Sequence, residues 1–91
     1  MHTITMEARI TGHVQGVAFR AWTRARAIAL GLKGWVRNDS RGAVIATFKG
    51  EKDKVDTMLT ELWSGPGAAA VTDVQSHPVD IGEPDGFQIL R

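Results

Sequence analysis

The stretch ITMEARITGHVQGVAFR, residues 4–20, decides the fold because its hydrophobic pattern changes halfway along. From Ile4 to Thr11, apolar residues alternate with polar ones, and this period of two predicts a half-buried β-strand. After a segment that carries Gly12 and Gly16, a mostly apolar set of residues recurs near helical spacing, and Gly31 after it is expected to end the helix. The set is Phe19, Trp22, Arg26, Ala29 and Leu30. The stretch therefore predicts a strand, a glycine-bearing loop and a helix in succession.

The rest of the chain supplies the other elements of one architecture. Spacing and turn composition predict a second helix at 55–63 and strands at 34–37, 43–48, 71–79 and 87–90. A turn at 38–42 joins two of these strands into a hairpin, and Lys49-Gly50 is expected to end the second of them. The order β-α-β-β-α-β plus a terminal β predicts an α+β, ferredoxin-like split βαβ sandwich, with two helices on one face of a mainly antiparallel sheet. We expect a single domain over residues 1–91.

The composition argues against several classes of function. The chain has 11 basic and 10 acidic residues, a net charge of +1, so it offers no broad basic surface for nucleic acid or a membrane. It contains no cysteine, and His2, His13 and His77 lack the spacing of metal ligands, so we expect neither metal nor cofactor. No signal peptide or apolar run of membrane-spanning length is visible. We therefore expect a cytoplasmic protein.

The loop and the start of the first helix favour an anion. No Ser, Thr, Asp or Asn lies between Val14 and Arg20 to cap the free backbone N–H groups. Arg20 falls in the first turn, at the positive end of the helix dipole, where a cation is mildly unfavourable. Free N–H groups beside a guanidinium are what a phosphate needs. The simpler alternative is that the glycines only make a turn and that Arg20 is a solvated helix residue, like Arg24 and Arg26.

Asn38 is the second candidate for a functional residue. An asparagine at a strand end most simply caps the following turn. In the predicted topology, however, the first strand and the hairpin strands are sheet neighbours, which could bring Asn38 near the glycine loop. Its side-chain amide can both donate and accept a hydrogen bond, so it is suited to holding a water molecule.

Two runs of the sequence closely resemble the acylphosphatase family. They are GHVQGVAFR, residues 12–20, and GWVRN, residues 34–38, followed by Gly42. The likeness continues in order through the second helix to the closing strand. It implies a small enzyme that hydrolyses the carboxyl–phosphate bond of acyl phosphates, giving a carboxylate and inorganic phosphate without a metal ion.

The resemblance also implies a role for each site residue. Arg20 is then the phosphate-binding residue and Asn38 the residue that orients the attacking water. The phosphate cradle is then formed by the backbone N–H groups of Val14, Gln15, Gly16, Val17, Ala18 and Phe19. The only partner expected is a small-molecule acyl phosphate, and the protein is expected to be a monomer.

The sequence departs from the family pattern beside Asn38. Many relatives carry Pro-Asp-Gly in the turn, whereas this chain reads Asp39-Ser40-Arg41-Gly42. The Asp39 carboxylate could repel phosphate or pair with Arg20.

Two alternatives to a free-standing enzyme remain open, and both are non-catalytic ferredoxin-like binding modules. One is a domain that binds acyl or carbamoyl phosphate within a larger maturation enzyme, and the other is an RNA-binding domain. The length of the chain favours the free-standing enzyme, and its near-neutral charge disfavours RNA.

Overall fold

The structure is a computed structural model that describes residues 2–90, and its elements follow the predicted order. They are β1 (Thr3–His13), α1 (Phe19–Ala29), β2 (Lys33–Asn38), β3 (Val44–Glu51), α2 (Lys52–Leu62), β4 (Ala70–Pro78) and β5 (Phe87–Ile89). No helix in this part of the chain is long and apolar enough to span a membrane.

The strands form one sheet in the order β4-β1-β3-β2-β5. Neighbouring strands are antiparallel, except that β5 runs parallel to β2. Buried side chains of α1 and α2 join those of the sheet in one hydrophobic cluster, because both helices pack on the same face. This arrangement confirms the predicted ferredoxin-like fold.

The core lies between that face of the sheet and the two helices. The alternation predicted for β1 is confirmed, since Ala8 and Ile10 are fully buried and point into the cluster. Met58 and Leu62 of α2 are also fully buried. Burying a side chain of the size of leucine stabilises a fold by roughly 1.5–3 kcal/mol. These apolar contacts hold β1, and therefore the loop that follows it, in a fixed position.

β1 extends two residues further than the pattern predicts. Gly12 and His13 belong to the strand and pair with Val71 and Ala70 of β4, after a bulge. Gly12 has φ +118°, and a Cβ there would lie 2.2 Å from the carbonyl oxygen of Ala70. Gly12 is therefore a residue of close strand approach, and the loop proper begins at Val14.

The expectation that Lys49-Gly50 ends the third strand is wrong. β3 continues to Glu51, and Gly50 pairs with Ile4 of β1. The side chain of Leu32 comes within 2.5 Å of the position that a Cβ of Gly50 would occupy. The glycine makes room for a core side chain here and does not break the strand.

The buried face of α1 agrees with the sequence pattern in part. Phe19 is buried, and Trp22 and Leu30 pack against the core, as the helical spacing predicts. The other fully buried residues of the helix are Thr23 and Ala27, which the pattern does not include. Small side chains at these two positions let the helix backbone approach the sheet, which the hydrophobic pattern alone does not indicate.

The end of α1 confirms the prediction made for Gly31. Gly31 follows α1 with φ +74°, and the N–H of Leu32 donates to the carbonyl of Ala27, which is the expected glycine-terminated helix end.

Trp63 is exposed at the end of α2. A tryptophan in the helical pattern of this segment is expected in the core or at its edge, but the exposed fraction of Trp63 is 51%. It comes directly after Leu62, the last buried residue of α2, and lies outside the packed face.

Candidate active site

The loop between β1 and α1, residues 14–18, presents free backbone N–H groups. Gly16 and Ala18 both have positive φ, of +75° and +62°, and Ala18 is the only non-glycine among the described residues that does. Ala18 is also the N-cap of α1 and gives no side-chain cap. None of the N–H groups of residues 15–18 donates a hydrogen bond within the described chain. Consecutive free donors at the positive end of a helix favour an anion.

Arg20 is the arginine of α1 that faces this loop without a partner. Arg26 makes a bidentate ion pair with Glu61 of α2, at 2.6 and 3.1 Å, and Arg24 donates to the backbone carbonyl of Phe87. Within residues 2–90, the guanidinium of Arg20 makes neither a hydrogen bond nor an ion pair. Arg24 and Arg26 are therefore not simply solvated. The binding of an anion by Arg20 stays a prediction.

A cavity of about 170 Å³ brings the two candidate segments together. It is lined by Val14, Gly16, Ala18, Phe19, Arg20, Ala21, Asn38 and Ile89. The loop, the first turn of α1 and the end of β2 therefore share one concave site, as predicted, although only β3 of the two hairpin strands is a sheet neighbour of β1. Ile89, on β5, was not expected at the site, because the sequence gives no sign that the last strand lies beside β2.

Asn38 ends β2 at the wall of this cavity. It pairs with Val44 of β3, which on its other side faces Ile10 of β1. Its Oδ1 atom is buried and accepts no hydrogen bond from any described residue. Leaving a buried acceptor unpaired costs about 1–3 kcal/mol, so a partner from the cavity side would be favourable.

The turn after Asn38 is capped by Asp39 and not by Asn38. Oδ1 of Asp39 accepts hydrogen bonds from the N–H groups of Arg41 and Ala43, both at 2.9 Å, and Oδ2 pairs with Nη1 of Arg9 at 2.5 Å. Burial alone would raise the pKa of Asp39, but these hydrogen bonds and the Arg9 charge lower it below its ordinary value. The possibility that Asp39 pairs with Arg20 is therefore not realised.

The side chain of Gln15 makes contacts that the sequence does not indicate. From the sequence, only the backbone N–H of Gln15 is expected to take part in the site, as one of the loop donors. In the structure, Nε2 of Gln15 donates to the carbonyl oxygens of Asp39 and Ala43, both at 2.9 Å. The loop is thereby tied to the turn that follows Asn38.

No group of three or more metal-binding side chains occurs among the described residues. His13, the histidine nearest the loop, is exposed at the end of β1. The polar groups of the cavity are an arginine, an asparagine and backbone amides, which suit an anion and a water molecule.

The acylphosphatase family model matches residues 6–89. The chain belongs to the acylphosphatase family. An acylphosphatase of Rhizobium meliloti (strain 1021) is 52% identical over 84 residues, which cover 91% of this chain and 88% of the relative. The structure of an acylphosphatase from Coxiella burnetii matches with a TM-score of 0.93 and 34% identity, covering 97% of this chain and 93% of that one.

The same fold also occurs inside a much longer chain. HypF of T. kodakarensis matches with a TM-score of 0.80 over 92% of this chain but only 11% of its own. At 22% identity this likeness concerns the fold alone. Family membership, in contrast, rests on relatives of nearly the same length.

Proposed function

We propose that the chain hydrolyses the carboxyl–phosphate bond of acyl phosphates in the cavity between the 14–18 loop and Asn38, without a metal ion. The observation that supports this most directly is a combination of groups in one cavity. Arg20, whose guanidinium has no partner among residues 2–90, the loop with its free N–H groups, and Asn38, whose Oδ1 is buried and unpaired, all line it. The first two suit a phosphoryl group, and the third suits a water molecule.

In this proposal Arg20 and the loop bind the phosphoryl oxygens. The planar guanidinium can donate two parallel hydrogen bonds to a phosphate, and the N–H groups from Val14 to Phe19 complete the cradle. In phosphoryl transfer the protein contributes mainly position and charge stabilisation, and rigid N–H donors supply the latter. The packing of β1 and α1 keeps these donors in place before the substrate arrives.

Asn38 orients the water that attacks phosphorus. Its Oδ1 accepts a hydrogen bond from this water, so that the water oxygen points at phosphorus opposite the leaving carboxylate. A new bond forms from the water oxygen to phosphorus, the bond from phosphorus to the acyl oxygen breaks, and the water proton passes to solvent. The parent carboxylic acid has a pKa of roughly 4, so the carboxylate leaves without being protonated. Among the described residues that line the cavity, none carries a carboxylic acid or an imidazole, which is consistent with this.

Two expectations from the sequence stay predictions. A monomeric state can be tested by sedimentation and a cytoplasmic location by cell fractionation. Turnover of an acyl phosphate would exclude the alternative of a non-catalytic phosphate-binding module. The net charge of +1 disfavours an RNA-binding domain.

The proposal is tested by measuring benzoyl phosphate hydrolysis in the presence of EDTA. The wild-type chain should turn over, and Arg20→Ala should lower kcat/KM by about a hundredfold or more and weaken inhibition by inorganic phosphate. Arg20→Lys should also be poor, because a point charge cannot replace the bidentate fork. Arg37→Ala is the matched control, since Arg37 is exposed on β2 and does not line the cavity. An Arg20→Ala enzyme with wild-type kinetics would contradict the proposal.

A further inference from the structure

The two halves of the proposed site come from strands that are not sheet neighbours. The phosphate loop follows β1, Asn38 ends β2, and β3 lies between these two strands. Backbone pairing therefore connects the loop to Asn38 only through β3. An in-line attack requires the water and the phosphoryl group to be held at a fixed separation. A direct hydrogen-bonded connection between the loop and the turn after Asn38 would fix that separation.

Gln15 supplies that connection. Its side-chain amide carries two hydrogens, and Nε2 uses both, one for the Asp39 carbonyl and one for the Ala43 carbonyl. The same two residues close the turn, because the N–H of Asp39 donates to the carbonyl of Ala43 at 2.9 Å. Gln15 thus contacts the first and last residues of the closed turn, and Asp39 is bonded directly to Asn38 in the chain.

The two residues that flank Gln15 in the sequence face the cavity, and the Gln15 side chain faces the turn. Val14 and Gly16 both line the cavity, whereas the Gln15 side chain points to the turn. Arg9 makes a second connection to the turn, through the side chain of Asp39, but it does so from β1 and not from the loop.

We propose that Gln15 is a positioning residue, which sets the distance between the bound phosphoryl group and the water held by Asn38. This inference rests on the roles proposed above for Arg20 and Asn38. The side chain of Gln15 touches neither substrate nor water in this proposal, although its backbone N–H belongs to the cradle, and it acts through the Asp39 carbonyl on the end of β2. Removing the two side-chain hydrogen bonds of Gln15 therefore lowers turnover but leaves the affinity of the loop for phosphate unchanged.

The test compares Gln15→Met, Asn38→Ala and the double variant by benzoyl phosphate kinetics and by inhibition with inorganic phosphate. Methionine keeps the length of the side chain and removes both donors. Gln15→Asn keeps the amide on a shorter stem, and it serves as the second variant if Gln15→Met does not fold. Glu61→Gln is the control for a general loss of stability, because it weakens the Arg26–Glu61 ion pair, neither residue of which lines the cavity.

The expected result is a loss of about tenfold to a hundredfold in kcat for Gln15→Met, the range for a misplacement of up to an ångström. The phosphate inhibition constant should change by less than about twofold, and the double variant should be no slower than Asn38→Ala alone. Multiplied losses in the double variant, a matching loss of phosphate affinity, or wild-type kcat in Gln15→Met would overturn the inference. If Asn38→Ala itself keeps the wild-type rate, the site assignment fails and the role of Gln15 with it.

Discussion

The carboxylate of Asp39 pairs with Arg9 at 2.5 Å, from across the intervening strand β3. This pair accounts for the acidic residue beside Asn38, which would otherwise be expected to oppose a phosphate ion. The negative charge is matched by Arg9, and both carboxylate oxygens are already engaged with Arg9 and the turn amides. Arg20 is thereby left without a competing partner among residues 2–90.

Asp39 should make stability depend on pH in the acid range. Its pKa is lower in the folded chain than in the unfolded chain, so the ionised carboxylate stabilises the fold above the unfolded value of roughly 4. This contribution is lost as the pH falls through the folded pKa. Asp39→Asn should therefore unfold at a lower temperature than the wild type at pH 7, and this difference in Tm should become smaller as the pH approaches 3.

Asp80→Asn, in an exposed loop, is the control and should show no such pH dependence. A difference in Tm for Asp39→Asn that stays constant with pH would contradict the stabilising role of the Asp39 carboxylate.

Thr23 should be a position where a substitution stabilises the protein. Its side chain is fully buried on α1, and its Oγ1 has no hydrogen-bond partner among the described residues. Thr23→Val keeps the shape and removes the unpaired hydroxyl, so we expect a gain of about 1 kcal/mol in the free energy of unfolding. Urea denaturation measures this. Thr57→Val, at an exposed position of α2, should change stability by less than about 0.5 kcal/mol, and a loss at Thr23 would show that its hydroxyl is paired.

Ile89 should influence which acyl phosphates are good substrates. It lines the cavity together with Ala18 and Ala21, so the wall that adjoins the phosphate loop is aliphatic. Ile89→Ser should lower kcat/KM for benzoyl phosphate about fivefold, the effect of losing roughly 1 kcal/mol of apolar contact, and should affect acetyl phosphate less. Leu90→Ser is the control, because Leu90 has nearly the same exposure but lies outside this cavity. Equal effects on both substrates would contradict a contact with the acyl group.

The hydrophobic periodicity of the sequence is sufficient to predict the fold. The topology of that fold is sufficient to predict that the loop and Asn38 lie close together. The alternation in β1 and the order of elements depend only on local pattern, which a single sequence contains. The partners of Gln15 and Arg9 lie 24 to 30 residues away, so they depend on strand register and side-chain direction. The burial of Thr23 and Ala27 on α1 is not predictable for a related reason, since it depends on how the helix packs and neither side chain is strongly apolar.

The most direct test of the account is the kinetics of Asn38→Ala with benzoyl phosphate, measured together with inhibition by inorganic phosphate. Asn38 is proposed to hold the water, and the loop is proposed to hold the phosphate. The substitution should therefore change the turnover rate and not the affinity for phosphate. We expect kcat to fall by about a hundredfold or more, while the phosphate inhibition constant stays within about twofold of the wild type. An Asn38→Ala enzyme that keeps its kcat, or that loses phosphate affinity in proportion to kcat, would contradict the central claim.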